Sequence, residues 1–191
     1  IKSNILKVIK NNLNNKLQYN HLLRIALNKD IISISLRKRI KPKLNFNLKL
    51  INLKRQKPEF KNLKYKSILK HLSRLDSSKS DIGLCSKNMI FETGTSNLIF
   101  VKNKVLYSPA SNFYKGITYK FFKSKIKNIK NKNISINSLK EFDEIILIGS
   151  GKGVASVQTI RQIKWKRKSL EFYKKFLKQY KLAINNCSNY R

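Results

Sequence analysis

The run from Phe91 to Phe100 contains the residues whose types could do chemistry. It includes Glu92, the only acidic residue between Asp81 and Glu141. Apolar residues precede and follow it, so Glu92 is predicted to lie at a strand end, partly removed from water. A carboxylate in such a place is costly unless a cation or hydrogen-bond donors meet it. We therefore expect Glu92 to have a specific, charged partner.

Two glycine-containing segments could hold an anion. Gly116-Ile117-Thr118 opens a predicted helix, where free N–H groups and the helix dipole favour negative charge. Residues 149–153 read Gly-Ser-Gly-Lys-Gly and follow the apolar run 145–148. A dinucleotide-binding turn is disfavoured there, because it must open a helix, whereas residues 154–160 have the pattern of a strand.

The run around Glu92 resembles the Glu-x-Gly-Thr-Ser-Asn-x-Phe signature of class IV aminotransferases and aminodeoxychorismate lyases. These fold-type IV enzymes use pyridoxal 5'-phosphate. The resemblance implies that Glu92 faces the pyridine nitrogen of the cofactor and keeps it protonated. The alternative is an ordinary strand-end glutamate paired with one of the many lysines.

A second part of the resemblance concerns the lysine that binds the cofactor. The run from Lys70 to Leu75, Lys-His-Leu-Ser-Arg-Leu, is similar to the pattern around the Schiff-base lysine of the lyases, which makes Lys70 the catalytic candidate. The spacing from Lys70 to Glu92 is shorter than the family's by roughly ten residues, about 15 Å of helix, so the helix that normally fills this gap would have to be trimmed. Three nearby lysines are therefore fallback candidates: Lys61, Lys64 and Lys66. His71 is interpreted as a packing or surface residue.

The resemblance also implies the groups that hold the cofactor's phosphate. They are the amides of Ile117 and Thr118 and the hydroxyl of Ser150. The family has an arginine where Tyr119 stands, and a tyrosine has no positive charge with which to make the ion pair of that arginine. The glycines of the second segment allow a close backbone approach, and Gly151 and Lys152 are the candidate substrate-binding residues.

The resemblance implies a homodimer whose site takes a loop from the partner chain. Among reactions, the run at Lys70 favours 4-amino-4-deoxychorismate lyase, which releases pyruvate and forms 4-aminobenzoate for folate biosynthesis. The alternative is a branched-chain or D-amino acid aminotransferase. Family members have a longer N-terminal lobe with an arginine that contacts the phosphate. That arginine cannot be placed here, and we expect an N-terminally incomplete chain.

The charge of the chain suggests a different class of function. Lys and Arg number 43 against nine Asp and Glu, a formal net charge of +34. Such a charge would suit a basic, non-enzymatic nucleic-acid or ribosome-associated protein. However, the lysines are spread evenly, and Arg, the preferred phosphate reader, supplies only eight of the 43 cations. Joint enrichment of Lys, Asn and Ile favours mutational bias instead.

The cysteines and the apolar runs define the expected environment. Cys85 and Cys187 form neither a disulfide framework nor a metal-ligand spacing, and Cys85 is interpreted as a small core residue. No apolar run approaches the length of a membrane span, and no signal-peptide pattern is present. We therefore expect a cytoplasmic enzyme with a small amino substrate and no metal.

Hydrophobic patterning predicts an α+β fold of the fold-type IV class, also called D-amino acid aminotransferase-like. The linker-like composition around Pro42 separates residues 1–40, the C-terminal part of a small domain, from residues 41–191, the larger cofactor-binding domain. Period-2 alternation or short apolar runs predict strands, and 3.6-residue spacing predicts helices. The predicted strands are 22–27, 32–36, 46–53, 82–85, 89–92, 98–101, 105–107, 145–148 and 154–160, and the predicted helices are 1–19, 116–130 and 170–184.

Overall fold

The computed structural model describes residues 2–14 and 21–187. The chain divides into two compact units, Ile1–Arg39 and Ile40–Arg191. No helix within the described residues is long and apolar enough to cross a membrane.

The described residues of the first unit form one helix and one hairpin. Helix α1 spans Lys2–Asn12, and strands β1 (His21–Leu27) and β2 (Ile32–Lys38) pair antiparallel with Leu23 opposite Leu36. Accessibility alternates along β1, as period-2 patterning predicts. The predicted helix over 1–19 is confirmed from Lys2 to Asn12, and residues 1 and 15–19 lie outside the described ranges.

The second unit contains the candidate site. Its helices are α2 (Lys66–Leu72), α3 (Ile117–Lys125) and α4 (Glu171–Asn185). Short 3-10 turns cover Asn137–Glu141 and Arg161–Ile163. The strands are β3 (Phe46–Asn52), β4 (Ser80–Ser86), β5 (Met89–Thr93), β6 (Asn97–Lys102), β7 (Val105–Pro109), β8 (Ile129–Lys132), β9 (Ile134–Ser135), β10 (Glu144–Gly149), β11 (Gly153–Ile160) and β12 (Trp165–Lys166).

These strands form one mixed sheet in the described part of the unit. Its order is β8-β7-β6-β10-β11-β3-β4-β5-β9, and β12 pairs with β11. The pairs β11–β3, β3–β4 and β7–β8 are parallel, and the others are antiparallel. The antiparallel hairpins β4–β5, β6–β7 and β10–β11 follow from the polar turns between the predicted strands.

The central strands are buried on both faces of the sheet. In β6, Leu98 and Phe100 belong to one apolar cluster, whereas Ile99 and Val101 belong to another that also includes Phe176 of α4. Successive side chains of a strand point to opposite faces, so a strand covered on both sides is apolar throughout. This explains why β6 and β10 read as continuous apolar runs.

The structure corrects one predicted helix. The segment predicted as helical over 116–130 is helical only from Ile117 to Lys125, and Ile129–Lys132 is a strand parallel to β7. The helix ends because Ile126 has extended backbone angles and Ile129 is buried in the core. Burial of this isoleucine against the sheet outweighs the helical spacing. Sequence patterning also missed α2, β8, β9 and β12.

Candidate functional site

Glu92 lies in β5 and is buried, with 3% of its surface exposed. Its cationic partner within the protein is Arg55, whose Nε donates to Glu92 Oε1 over 2.8 Å. Arg55 Nη2 also lies 3.4 Å from the carbonyl oxygen of Gly94. The expectation that a cation meets Glu92 is confirmed, and the residue that meets it follows β3.

Burial raises the pKa of Glu92 above its ordinary value. The charge of Arg55, its hydrogen bond and the backbone of Tyr114 all act in the opposite direction, but they do not outweigh the loss of water. A buried carboxyl group with a raised pKa is incompletely compensated in its ionised form. A further cation beside Glu92 would stabilise the carboxylate.

The turn after Glu92 is held by a second buried carboxylate, Asp81. Asp81 Oδ2 accepts hydrogen bonds from Thr93 Oγ1 at 3.0 Å and Thr95 Oγ1 at 2.5 Å. It also accepts from Lys152 Nζ at 2.8 Å, and the two side chains of this ion pair are 0% and 5% exposed. Lys152 Nζ lies 5.1 Å from the ring centroid of Phe46. Asp81 therefore connects β4, the Thr93–Ser96 turn and the loop before β11.

Asn97 connects the same turn to the beginning of α3. Its Oδ1 accepts from the N–H of Gly116 at 3.1 Å, and its Nδ2 donates to the carbonyl of Tyr114 at 2.5 Å. Gly116 caps α3 without a side-chain hydrogen bond. The N–H groups of Ile117 and Thr118 donate to no acceptor in the described part of the chain. These N–H groups can hold an anion.

The loop 149–153 lies against the turn after Glu92. A Cβ on Gly149 would be 3.0 Å from Ser96 Oγ and 3.3 Å from the carbonyl oxygen of Thr95. Ser150 is exposed at the tip of the β10–β11 hairpin, and Gly151 is half-buried. Lys152, a candidate substrate-binding residue, is instead buried and paired with Asp81. Its ammonium group therefore forms an internal ion pair.

The structure places the candidate lysine on a helix. Lys70 lies in α2 and is exposed, and its carbonyl accepts a hydrogen bond from Ser73 Oγ at 3.1 Å. The end of α2 approaches the turn, since a Cβ on Gly94 would be 3.1 Å from Leu72 Cδ1. The fallback residues Lys61, Lys64 and Lys66 are also exposed.

A cavity of about 1050 Å³ adjoins Glu92's partners. Its walls are residues 54–61 and 112–115 together with Lys120, and they include Arg55, Tyr114 and the fallback residue Lys61. Lys70 and Ser150 are not part of its lining. The cavity is large enough for a small-molecule ligand.

Two further predicted positions have core roles. Tyr119, which stands where an arginine is expected, is 4% exposed, and its hydroxyl lies 2.9 Å from Ser108 Oγ. Its ring packs edge-on against Phe113. Cys85 is buried, and burial raises the pKa of its thiol to about 12. The interpretation of Cys85 as a small core residue is therefore confirmed.

The model of the family Amino-transferase class IV matches residues 4–160. The chain belongs to this family. No curated protein sequence matches the chain. Its fold is that of class IV aminotransferases, as the solved structures below show.

Three solved structures illustrate the likeness. The branched-chain aminotransferase of Thermoproteus uzoniensis with norvaline has a TM-score of 0.65 at 15% identity, covering 78% of this chain and 55% of that one. A Legionella pneumophila protein assigned as 4-amino-4-deoxychorismate lyase has 0.62 at 18%, covering 78% and 61%. The branched-chain amino acid aminotransferase of Thermobaculum terrenum in its PLP form has 0.63 at 13%, covering 79% and 55%. The class IV chain thus spans little more than half the length of these proteins.

Sequence reasoning missed three features of the site. They are the pairing of Arg55 with Glu92, the buried carboxylate of Asp81, and the ion pair between Lys152 and Asp81. The need for a cation at Glu92 was visible, but 43 cations could have met it. Asp81 carried a weak signal, because it is an acid at the start of an otherwise apolar strand. A buried acid in a cation-rich chain implies a buried partner.

Proposed function

We propose that this chain contains the cofactor-binding part of an enzyme that uses pyridoxal 5'-phosphate. The main support for this proposal comes from Glu92 at the end of β5. Its carboxyl group is buried, and its pKa is raised although Arg55 pairs with it. A protonated pyridine nitrogen is a cation that such a group would stabilise. Membership of the class IV family supports the same cofactor.

The available hydrogen-bonding groups fit the two charged ends of the cofactor. Glu92 is an acceptor for a protonated ring nitrogen, and the free N–H groups of Ile117 and Thr118 are donors for a phosphate. Asn97, in the strand that follows the Glu92 turn, forms hydrogen bonds to Tyr114 and Gly116. Its side chain therefore connects the region of Glu92 to the beginning of α3. The exposed hydroxyl of Ser150 is proposed as a further phosphate donor.

Lys70 is proposed as the residue that binds the cofactor covalently and moves the substrate's α-proton on its Nζ. When bound, the cofactor supplies an electron sink for the pair released at the substrate α-carbon. Glu92 would keep the ring nitrogen protonated, and Arg55 would hold the Glu92 carboxylate in place. Gly151 is proposed to face the substrate through its backbone.

We propose 4-amino-4-deoxychorismate lyase as the reaction, with pyruvate and 4-aminobenzoate as products. The run from Lys70 to Leu75 favours it, because its His and Arg placing is closer to the lyases than to the aminotransferases' Lys-x-x-x-Asn-Tyr pattern. The alternative is transamination of branched-chain amino acids, and it is favoured by the branched-chain aminotransferases among the similar structures.

One pair of assays separates these reactions. Elimination releases pyruvate from aminodeoxychorismate without a second substrate, whereas transamination needs a keto acid such as 2-oxoglutarate. We expect pyruvate release without 2-oxoglutarate and no glutamate formation from leucine in its presence. Glutamate formation alone would contradict the lyase and leave the cofactor proposal intact.

Cofactor attachment is tested directly by borohydride reduction and peptide mapping. Adding pyridoxal 5'-phosphate should produce a visible absorption band, and reduction should fix the label on Lys70. A label on Lys61, which lines the cavity beside Arg55, or on Lys64 or Lys66 would show that another lysine is used. Absence of any label would overturn the proposal and favour the basic, nucleic-acid-binding alternative.

The assembly and location are proposed from the family resemblance and the thiols. We propose a homodimer, which the mass measured by light scattering would test. We also propose the reducing cytoplasm, because Cys85 and Cys187 are both free thiols.

A further inference from the structure

The cavity beside Arg55 is unusually rich in cations. Six of its thirteen lining residues are Lys or Arg, against 43 of 191 in the whole chain. A single acid, Glu59, is part of the lining. The enrichment is about twofold over a chain that is already strongly basic, so the composition of the cavity exceeds the general bias.

Among these six cations, only Arg55 forms an ion pair within the described part of the chain. Apart from Arg55, the five lining lysines make no ion pair with any residue in the described ranges. Lys57 and Lys115 line the cavity from two different segments, 54–61 and 112–115. Several unpaired cations around one concave space attract an anion more strongly than the same cations spread over a surface.

One wall of the cavity is an organised loop. Asn62 Nδ2 donates to the carbonyls of Gln56 and Lys57 at 2.9 and 3.1 Å, and its Oδ1 accepts from the N–H of Lys64 at 2.8 Å. Lys57 has φ of 45°, and Asn112 in the second lining segment has φ of 63°. Non-glycine residues rarely take such values, and where they do, ligand-binding segments are overrepresented.

The cavity also offers flat apolar surface. Phe60 is 63% exposed although it is a large aromatic residue, and it lines the same space as Tyr114. An exposed aromatic side chain among cations suits a planar ligand that carries negative charge. A branched aliphatic side chain would use neither the lysines nor the ring.

We propose that this cavity is the subsite for an additional carboxylate of a planar, unsaturated substrate, with Lys57 and Lys115 as its carboxylate-binding groups and Phe60 as its flat wall. The inference rests on the proposed function, because Arg55 and Tyr114 join the cavity to Glu92. It extends that function by naming the groups that recognise the substrate. The substrate class is an amino compound that has an unsaturated ring and at least two carboxylates.

The test uses isophthalate, a planar dicarboxylate, and benzoate, its monocarboxylate counterpart, titrated calorimetrically at equal ionic strength. We expect isophthalate to bind about fivefold more tightly than benzoate, since one additional ion pair worth about 1 kcal/mol corresponds to about that ratio. The double variant Lys57→Gln/Lys115→Gln should lose this preference. Phe60→Ala should weaken both ligands alike.

A matched control removes the same charge elsewhere. Lys127 and Lys130 are exposed and lie outside the cavity, so Lys127→Gln/Lys130→Gln should keep the isophthalate preference. Equal losses in the two double variants would show a net-charge effect and overturn the inference. The same holds if wild type does not prefer isophthalate, or if inorganic phosphate binds the cavity as tightly as isophthalate does.

The cofactor spectrum of the same samples separates this inference from the proposed function. Binding of pyridoxal 5'-phosphate without an isophthalate preference would overturn the subsite alone. An isophthalate preference without cofactor binding would keep an anion site and overturn the proposed function.

Discussion

Glu92 shows how a single residue can constrain a site. It is a buried acid in a chain with few acids, and Arg55 offsets only part of the cost of its burial. Arg suits this pairing, because its guanidinium stays charged and can donate to Glu92 and approach the Gly94 carbonyl together. A cationic ligand beside Glu92 would offset the remaining free-energy cost of burying its carboxylate.

The raised pKa of Glu92 predicts a pH-dependent stability difference from Glu92→Gln. In the folded protein this pKa lies above the ordinary 4.5, so the folded state holds the proton to higher pH than the unfolded state. Wild type is therefore most stable relative to Glu92→Gln below the ordinary pKa, and loses this stability as pH rises through the folded pKa. Urea unfolding of both proteins at about pH 4 and about pH 8 measures it. A difference that does not change with pH would contradict the prediction.

Glu92→Gln should also retain the cofactor and lose most turnover. A neutral amide cannot keep the ring nitrogen protonated, and losing an interaction of roughly 3 kcal/mol slows a reaction by over about a hundredfold. Turnover and the cofactor's absorption are measured on the same sample. Glu171→Gln, on the exposed face of α4, is the control. Turnover within about twofold of wild type would show that Glu92 has only a structural role.

At the scale of elements, short connections converge on the turn after Glu92. Asp81 at the start of β4 joins this turn to the loop before β11 through Lys152. Asn97 at the start of β6 joins it to α3. The positions of Ser150 and of the free N–H groups of α3 therefore depend on side chains that are not themselves proposed to contact a ligand.

Lys152→Met should destabilise the protein strongly. It leaves the Asp81 carboxylate buried without a cation, which typically costs about 3–5 kcal/mol, whereas Met retains most of the side-chain volume. The double variant Asp81→Asn/Lys152→Met should recover a large part of that loss in urea unfolding. The exposed pair Lys102–Glu141 is the control, and Lys102→Met should change stability by less than about 1 kcal/mol. If Lys152→Met and Lys102→Met lowered stability equally, the loss in Lys152→Met would not come from leaving the Asp81 carboxylate buried without a cation.

Replacing Gly153, at the start of β11, should also destabilise the β10–β11 hairpin. Its φ is +71°, and a Cβ there would lie 2.8 Å from Tyr180 Cε1 of α4. Gly153→Ala should therefore lower the unfolding free energy through both backbone strain and the clash. Adding Tyr180→Leu should relieve the clash and leave about 1 kcal/mol of strain. No improvement on adding Tyr180→Leu would show that the clash is not what destabilises Gly153→Ala.

At the scale of the whole molecule, the net charge of +34 acts against folding. Like charges repel more in the compact state than in the unfolded chain, and salt screens this repulsion. The urea midpoint should therefore rise when sodium chloride is increased from about 20 mM to about 300 mM. Urea is used because it is uncharged. A midpoint that falls or stays constant would show that favourable ion pairs balance the repulsion.

The sequence by itself determined the strands other than β8, β9 and β12, and the demand of Glu92 for a cation. These depend on neighbouring residues: alternation and apolar runs define strands, and a lone acid between apolar segments is costly to bury. The beginning of α3 at Ile117 was also predictable from Gly116, whereas its end was not, because Ile129 joins the sheet beside β7.

Only the tertiary structure decided which cation meets which acid. Arg55 reaches Glu92 across 37 residues, and Lys152 reaches Asp81 across 71. Cations are so numerous in this chain that residue type carries little information about pairing. The choice depends on the path of the backbone, which brings β3, β4 and the β10–β11 hairpin to one place only after the sheet has formed.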